Sequence, residues 1–277
     1  GGEGFQLVMA IVYSPSNPMV AYLGTDTSQV WKSVDGGRSW EPKNNNYLSV
    51  GSRSLFVHPF NENIIYSAGS LGQSRERVGD WTPYQGIYRS LDGGDSWQRV
   101  EEAGFYKQES RGSLFAMDSS TLKATFYTLY AGTYDKGLMV SHDSGNTWQE
   151  TGADLGEIYD LAELPGLPGV LLVASSQGLY RYDGKQAKKV GDGLPSFPRS
   201  IALSPDKPSM VLAALGKYGV YKSVDAGDSF QGASYSPWPM GVVNDIEISP
   251  VDADKAIFTK SGKMAGPYYS VDGGDSW

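Results

Sequence analysis

The sequence predicts an all-β fold made of six similar units, and three observations support this prediction. An octapeptide of the pattern S-x-D-x-G-x-x-W recurs five times, with Thr or Phe at some positions. An apolar segment that ends at Pro or Asp recurs six times, in step with it. The chain contains 18 Tyr, 7 Trp and 35 Gly, a composition typical of short strands and turns. Such repetition indicates that each unit buries its apolar face against the next.

The octapeptides define the length of the repeat. Successive copies begin 57, 51, 82 and 47 residues apart, and the interval of 82 is long enough for two units. Residues 178–185, GLYRYDGK, supply the copy missing from that interval, since Asp183 and Gly184 remain while Ser and Trp are lost. The five complete copies are SVDGGRSW (33–40), SLDGGDSW (90–97), SHDSGNTW (141–148), SVDAGDSF (223–230) and SVDGGDSW (270–277).

Each unit is predicted to form four short antiparallel strands. The apolar segment is the first strand, a turn leads to a second, and a loop leads to a third that runs into the octapeptide. Four such strands form one blade of a β-propeller, and radial closure leaves few free strand edges. We predict a single propeller domain over residues 1–277, with six visible blades that would also fit a seven-bladed or double propeller. The predicted blades cover approximately residues 5–46, 47–104, 105–152, 153–193, 194–236 and 237–277.

The sixth unit predicts that the chain continues. Trp277 would be the first residue of its fourth strand, and only Gly1 to Gly4 precede the first strand of the chain. An unpaired outer strand edge would favour aggregation. We therefore expect the 277 residues to be a segment of a longer chain, with a further blade or propeller.

The octapeptides are predicted to be structural. The Asp carboxylate can accept N–H groups of the turn between strands three and four, and the glycines suit its positive φ angles. A calcium loop would need alternating oxygen ligands and a later Glu, which the octapeptides lack. The predicted structural residues are Asp35, Asp92, Asp143, Asp225, Asp272, Trp40, Trp97, Trp148 and Trp277.

Composition excludes several classes of function. The chain has no Cys and a net charge of −8, which exclude disulfide chemistry and disfavour nucleic acid or an anionic membrane as partners. No apolar run is long enough for membrane insertion. The two histidines, His58 and His142, are interpreted as packing residues, so we expect no metal and no cofactor.

The repeated octapeptide resembles the Asp-box, or BNR, repeat. That superfamily includes sialidases, sortilin-type receptors, two-propeller xyloglucanases and the photosystem II assembly factor, and the resemblance covers all 277 residues. It implies a β-propeller, but it does not choose between hydrolase, receptor and assembly factor. The three arginines of sialidases have counterparts here, whereas their other catalytic residues are not recognisable.

Two groups of residues are candidates for ligand binding on the face opposite the octapeptides. The longest loop between second and third strands, residues 70–85, is either a partner-binding loop or a solvated cap, with Trp81 as the expected anchor. Alignment of the first strands places three arginines at one mouth, where they would bind an anion or pair with nearby acids. The candidate residues are Arg53, Arg111, Arg199, Arg75, Arg77, Asp80, Trp81, Tyr84 and Trp238, the last from the aromatic linkers between blades.

The first blade resembles the start of the xyloglucanase propellers. GGEGF (1–5) and YLGTD (22–26) match that opening, which implies that Asp26 is a catalytic base. The chain has Thr27 and Ser28 where that family has two glycines, and the family's second acid lies in another propeller. Since a glycosidase needs two carboxyl groups, Asp80, Glu76 or Asp135 would have to supply the second.

The sequence therefore predicts an extracytoplasmic recognition or assembly propeller, periplasmic or secreted, that binds a glycan or protein partner. The alternative is a polysaccharide-active glycoside hydrolase with Asp26 as its base.

Overall fold

The computed structural model describes residues 7–70, 84–104, 112–122, 125–233 and 241–277. These residues form six antiparallel sheets, five of four strands and a sixth of three. The fold is a six-bladed β-propeller, which confirms the predicted fold class. We number the sheets as blades one to six in chain order.

Blade one contains β1 (Val8–Ser14), β2 (Asn17–Thr25), β3 (Val30–Ser33) and β4 (Glu41–Pro42). Blade two contains β5 (Gly51–His58), β6 (Asn61–Ser70), β7 (Gly86–Ser90) and β8 (Gln98–Glu101). Blade three contains β9 (Phe115–Met117), β10 (Leu129–Gly132), β11 (Leu138–Ser141) and β12 (Gln149–Glu150). Blade four contains β13 (Ile158–Glu163), β14 (Leu171–Ser175), β15 (Gly178–Tyr182) and β16 (Ala187–Val190). Blade five contains β17 (Ser200–Leu203), β18 (Val211–Ala214), β19 (Val220–Ser223) and β20 (Gln231–Gly232), and blade six contains β21 (Gly241–Ser249), β22 (Asp252–Gly262) and β23 (Gly266–Ser270).

The chain packs as two compact units. The first comprises residues 1–108, 133–136 and 141–149, and the second comprises residues 109–132, 137–140 and 150–277. The first unit contains blades one and two, and the second contains blades four, five and six. Strands of blade three contribute to both units.

Prolines of the apolar segments start the tight turns between first and second strands. In blades one, two and six the connection is two residues long, because Ser14 pairs with Asn17, His58 with Asn61, and Ser249 with Asp252. In each case the first connecting residue is proline, whose fixed φ suits the second position of a turn. The two ends of a blade follow from this order. We call the end that carries the loop between second and third strands the loop end, and the octapeptide turn lies at the other end.

Blades four and five each bury an apolar side chain against the octapeptide of the next blade. Leu172 and Leu212 occupy the same position on the second strands of blades four and five, and both are fully buried. Each packs on a glycine of the next octapeptide: a Cβ added at Gly227 would lie 3.2 Å from Leu172, and one at Gly274 would lie 2.8 Å from Leu212. The glycines therefore permit close contact between blades as well as the turn.

A cation on the third strand also reaches the next octapeptide. The Arg181 guanidinium lies 3.1 Å from the Asp228 carboxylate, and the Lys222 ammonium lies 2.6 Å from that of Asp275. In the first unit Arg89 donates to the carbonyl oxygen of Ser144 and the side chain of Asn146. Arg89 and Lys222 directly precede the first residue of their own blade's octapeptide, whereas Arg181 lies within residues 178–185.

Blade six lacks these features. At the positions of Leu212 and Lys222 it has Ile257 and Tyr269, which are 42% and 54% exposed. Glu247, opposite Ile257 on the first strand, is exposed as well. This face of blade six is therefore more accessible than the equivalent faces of blades four and five.

Candidate functional site

The octapeptide aspartates accept hydrogen bonds from residues of their own turns. Asp35 Oδ1 accepts the Ser39 N–H at 2.9 Å and the Ser33 hydroxyl at 2.7 Å, and its Oδ2 accepts the Ser39 hydroxyl at 2.6 Å. These bonds, those from Ser39 first, hold the pKa of Asp35 well below its usual value. The same contacts recur at the four other aspartates, Asp92, Asp143, Asp225 and Asp272. Carboxylates engaged in this way stabilise the turn and have little capacity left for a ligand.

The octapeptide tryptophans pack at the edges of the blades in different ways. Trp97 is buried and donates its indole N–H to the Lys43 carbonyl oxygen, whereas Trp40 is half-buried and donates to the Gly37 carbonyl oxygen of its own turn. Trp277 lies edge-on to Phe258, with ring centroids 4.7 Å apart. Trp148 is half-buried.

Asp26 lies at the loop end of blade one and holds the entry to the first strand. It is 5% exposed, and its Oδ1 accepts the Leu7 N–H at 3.0 Å while its own N–H donates to the Leu7 carbonyl oxygen. Blade four makes the same pair of contacts, because Glu157 donates its N–H to the Ser176 hydroxyl and Ser176 donates its N–H to the Glu157 carbonyl oxygen. A hydroxyl therefore makes in one blade the contact that the Asp26 carboxylate makes in another.

Asp135 makes a related contact in blade three. Its Oδ1 accepts the Gly104 N–H at 2.8 Å, and the neighbouring Tyr134 N–H donates to the Gly104 carbonyl oxygen. Side chains at this position thus accept a hydrogen bond from the segment that enters the blade. This bond holds that segment against the loop between the second and third strands. This repetition suggests a structural contribution of Asp26, whatever further role it has.

Two of the three predicted arginines belong to different compact units. Arg53 is buried in the first unit, and Arg199 is half-buried in the second, where a Cβ added at Gly216 would lie 3.1 Å from Arg199 Nε. Arg111 lies outside the described residues. The convergence of the three guanidinium groups therefore stays a prediction.

The binding role predicted for the loop of residues 70–85 also stays a prediction, because most of the loop lies outside the described residues. Arg75, Arg77, Asp80 and Trp81 lie outside the described residues, as does Trp238. Tyr84, at the end of that loop, is 37% exposed, and its carbonyl oxygen accepts the Tyr88 hydroxyl at 2.7 Å.

A buried carboxyl group that sequence reasoning did not select lies on the first strand of blade four. Asp160 is 3% exposed, and its Oδ2 accepts the Ile201 N–H of blade five at 2.8 Å. Burial raises the pKa of Asp160 well above its usual value, the Ile201 N–H opposes this, and the Asp245 and Glu247 carboxylates add to it. Ser200 donates its hydroxyl to Asp245 at 2.9 Å, which extends the same pattern from blade five to blade six. The sequence contains a signal for this pattern, because Ser or Asp begins five of the six apolar segments.

A cavity of about 240 Å³ lies at the loop end of blade four. One wall is formed by the loop between β14 and β15, another by the end of β16, and a third by the linker to blade five. The lining residues are Ser176, Gln177, Gly178, Leu179, Lys189, Val190, Gly191, Leu194, Pro195, Ser196 and Phe197. Phe197 belongs to a linker between blades, but sequence reasoning selected none of the residues of this cavity as candidates.

The cavity combines apolar walls with a polar rim. Leu179 is buried, Leu194 and Phe197 are half-buried, and the Phe197 ring is supported by Tyr159 at a centroid distance of 5.4 Å. At the rim, Lys189 donates to the Gln177 carbonyl oxygen at 2.9 Å, and the Gln177 amide donates to Asp154 at 3.3 Å. Such a mixture is typical of small-molecule sites.

In the part of the chain that the structure describes, no helix has the length and apolar character needed to cross a membrane.

Similarity in sequence relates the chain to a xyloglucanase. It is 27% identical over 161 residues to xyloglucanase Xgh74A of Acetivibrio thermocellus. This match covers 54% of the chain but 18% of the enzyme, so the chain spans less than a fifth of its curated relative. No protein-family model matches the chain.

Solved structures relate the fold to two kinds of propeller. The GH74 xyloglucanase from Xanthomonas campestris matches 98% of the chain and 44% of its own, with a TM-score of 0.77 and 19% identity. YCF48 from Cyanidioschyzon merolae matches 98% of the chain and 84% of its own, with a TM-score of 0.62 and 14% identity. A YCF48 bound to a D1 peptide matches 91% and 74%, with a TM-score of 0.57 and 16% identity. The chain is therefore similar to xyloglucanase and YCF48 propellers, and both functional hypotheses are compatible with that similarity.

Proposed function

We propose that this protein is a recognition module outside the cytoplasm, which binds a glycan at the loop ends of its blades. The observation that carries this proposal is the cavity of blade four, because its apolar walls and polar rim suit a sugar ring. The similarity to a xyloglucanase, named for a glycan substrate, favours the same class of ligand. Polymeric glycans occur mainly outside the cytoplasm, which favours that location.

Binding without hydrolysis is the expected activity. A glycosidase needs two carboxyl groups on either side of the scissile bond. Asp26 is 5% exposed and already accepts the Leu7 N–H, so it is poorly placed to receive a substrate proton. The described part of the cavity lining contributes no carboxylate.

The test measures binding and hydrolysis with the same ligands. The purified chain is applied to a panel of neutral and acidic oligosaccharides, and reducing ends are measured after prolonged incubation. Retention on at least one glycan without release of reducing ends is the expected result. If no glycan is retained, the proposal is wrong.

The second candidate is a polysaccharide hydrolase with Asp26 as its base, favoured by the sequence match to the xyloglucanase. Asp26→Asn tests it, because the amide oxygen can still accept the Leu7 N–H. Asp35→Asn is the control, since Asp35 lies in the octapeptide turn at the other end of the same blade and its carboxylate accepts hydrogen bonds from that turn. Release of reducing ends by the wild type and the control, but not by Asp26→Asn, would favour the hydrolase.

A protein ligand is the third candidate, and the structural similarity to YCF48 bound to a peptide favours it. Competition decides between ligands. A protein partner that displaces a bound oligosaccharide would show that both use the same end of the blades, whereas partner binding without any glycan binding would replace the first proposal.

A further inference from the structure

The cavity of blade four contains a lysine, Lys189, that forms no ion pair with the described residues. Lys189 lines the cavity, and its ammonium group donates to the Gln177 carbonyl oxygen. It also lies 5.9 Å from the centre of the Tyr180 ring. Among the described residues, the ion pairs of other lysines and arginines involve nearby acids, but none involves Lys189. An ammonium group has three donors, so donors remain for a ligand.

The size of the cavity limits the ligand. Drug-sized molecules occupy pockets of roughly 300–1,000 Å³. A volume of about 240 Å³ is smaller and suits a ligand near the size of one sugar ring. A single Asp or Glu side chain would match the ammonium group but leave most of this space unfilled.

The walls indicate where each part of such a ligand would lie. The half-buried Phe197 ring and Leu194 offer an apolar surface to the C–H face of a pyranose. The Gln177 and Ser196 side chains at the rim can exchange hydrogen bonds with ring hydroxyls. The Lys189 ammonium would pair with a carboxylate on the ring, since a charge-assisted hydrogen bond is stronger than a neutral one.

From this arrangement we propose that the cavity binds a uronic acid residue of an acidic glycan, with Lys189 as the residue that selects the carboxylate. This inference rests on the proposed glycan recognition and narrows it to one class of sugar.

Two ligands that differ only in the carboxylate test it. Methyl glucosiduronic acid and methyl glucoside are titrated separately into the protein, and NMR measures the affinity and contacts to the Phe197 ring. The acid should bind at least about tenfold more tightly, which is the effect of one charge-assisted hydrogen bond in a partly enclosed site. Its binding should also weaken with added salt.

Lys189→Met is the test variant, and Lys188→Met is its matched control. Both lysines are exposed on β16, but Lys189 pairs with Tyr180 and Lys188 with Arg181, so their side chains lie on opposite faces of the sheet. We expect Lys189→Met to remove the preference for the acid and Lys188→Met to retain it.

The outcomes separate this inference from the proposed function. Equal binding of both ligands, or an unchanged preference in Lys189→Met, would overturn the uronate inference while leaving glycan recognition intact. If neither ligand binds and the oligosaccharide panel is also negative, the proposed function fails as well. Binding of the acid without contacts to Phe197 would place the site elsewhere and would also refute the inference.

Discussion

Truncation of one residue in two successive blades should have very different effects on stability. Leu212 and Ile257 occupy equivalent positions on β18 and β22, each one residue after the partner of the first octapeptide residue. Leu212 is fully buried and packs on Gly274 of the next octapeptide. Ile257 is 42% exposed. Each change to Ala removes three carbon atoms.

The expected magnitudes follow from these surroundings. Leu→Ala in a close-packed core lowers the free energy of unfolding by about 2–5 kcal/mol. The apolar burial of the removed atoms is lost, and a cavity remains that neighbouring atoms fill only in part. Ile257→Ala should cost about 1 kcal/mol or less, since its side chain is partly in water and can leave no closed cavity. The difference between the two variants should therefore exceed about 1 kcal/mol.

Urea unfolding followed by tryptophan fluorescence measures both values. Leu172→Ala serves as the control, because Leu172 is fully buried against Gly227 in the same way and should resemble Leu212→Ala. If Ile257→Ala destabilises the protein as much as Leu212→Ala, the exposed face of blade six is covered in solution and the reasoning is refuted.

Three further predictions concern the turns and the buried acid. Ala226→Gly should raise stability by about 0.5–1 kcal/mol in thermal unfolding, because Ala226 has a φ of 60° in a turn where three of the four other octapeptides have Gly; a loss would contradict this. Burial raises the folded-state pKa of Asp160, so its contribution to the stability of the fold is present below the ordinary pKa of 3.8 and is lost as pH rises. Asp160→Asn should therefore gain stability relative to wild type between pH 4 and 8. A constant difference between the two proteins would count against this prediction. The hydroxyl of Ser229, and then its N–H, donate hydrogen bonds that lower the pKa of Asp225 to about 2. The contribution of Asp225 to the stability of the fold is therefore present above pH 3.8 and disappears toward pH 2. Asp225→Ala should therefore unfold more readily at pH 6 and approach wild type at pH 2, and equal loss at both values would oppose this explanation.

Much of the fold could be predicted because its signals are local. The octapeptide spacing revealed six units, and the structure has six sheets in the same order, with Asp35 and its counterparts in the turns where they were expected. The predicted binding residues do not have this support. Arg111 and Trp81 lie outside the described residues, and Arg53 and Arg199 belong to different units.

The residues that line the candidate cavity could not be selected from the sequence. Gln177, Lys189 and Phe197 come from a loop, a strand and a linker, and each has an ordinary composition for its place. No short pattern distinguishes Lys189 from Lys188. The two differ because adjacent residues of β16 point to opposite faces of the sheet.

By itself, the sequence determined the six visible blades, their strand order and their turns, because repeat spacing and turn chemistry depend on neighbouring residues. Only the tertiary structure decided which of the repeated positions are buried and which remain accessible. Asp160 becomes a buried acid because Ile201, 41 residues further along the chain, packs beside it, while Ile257 stays partly exposed at the same position where Leu212 is covered. Burial and charge are properties of what surrounds a side chain, and in this protein those surroundings come from the neighbouring blade.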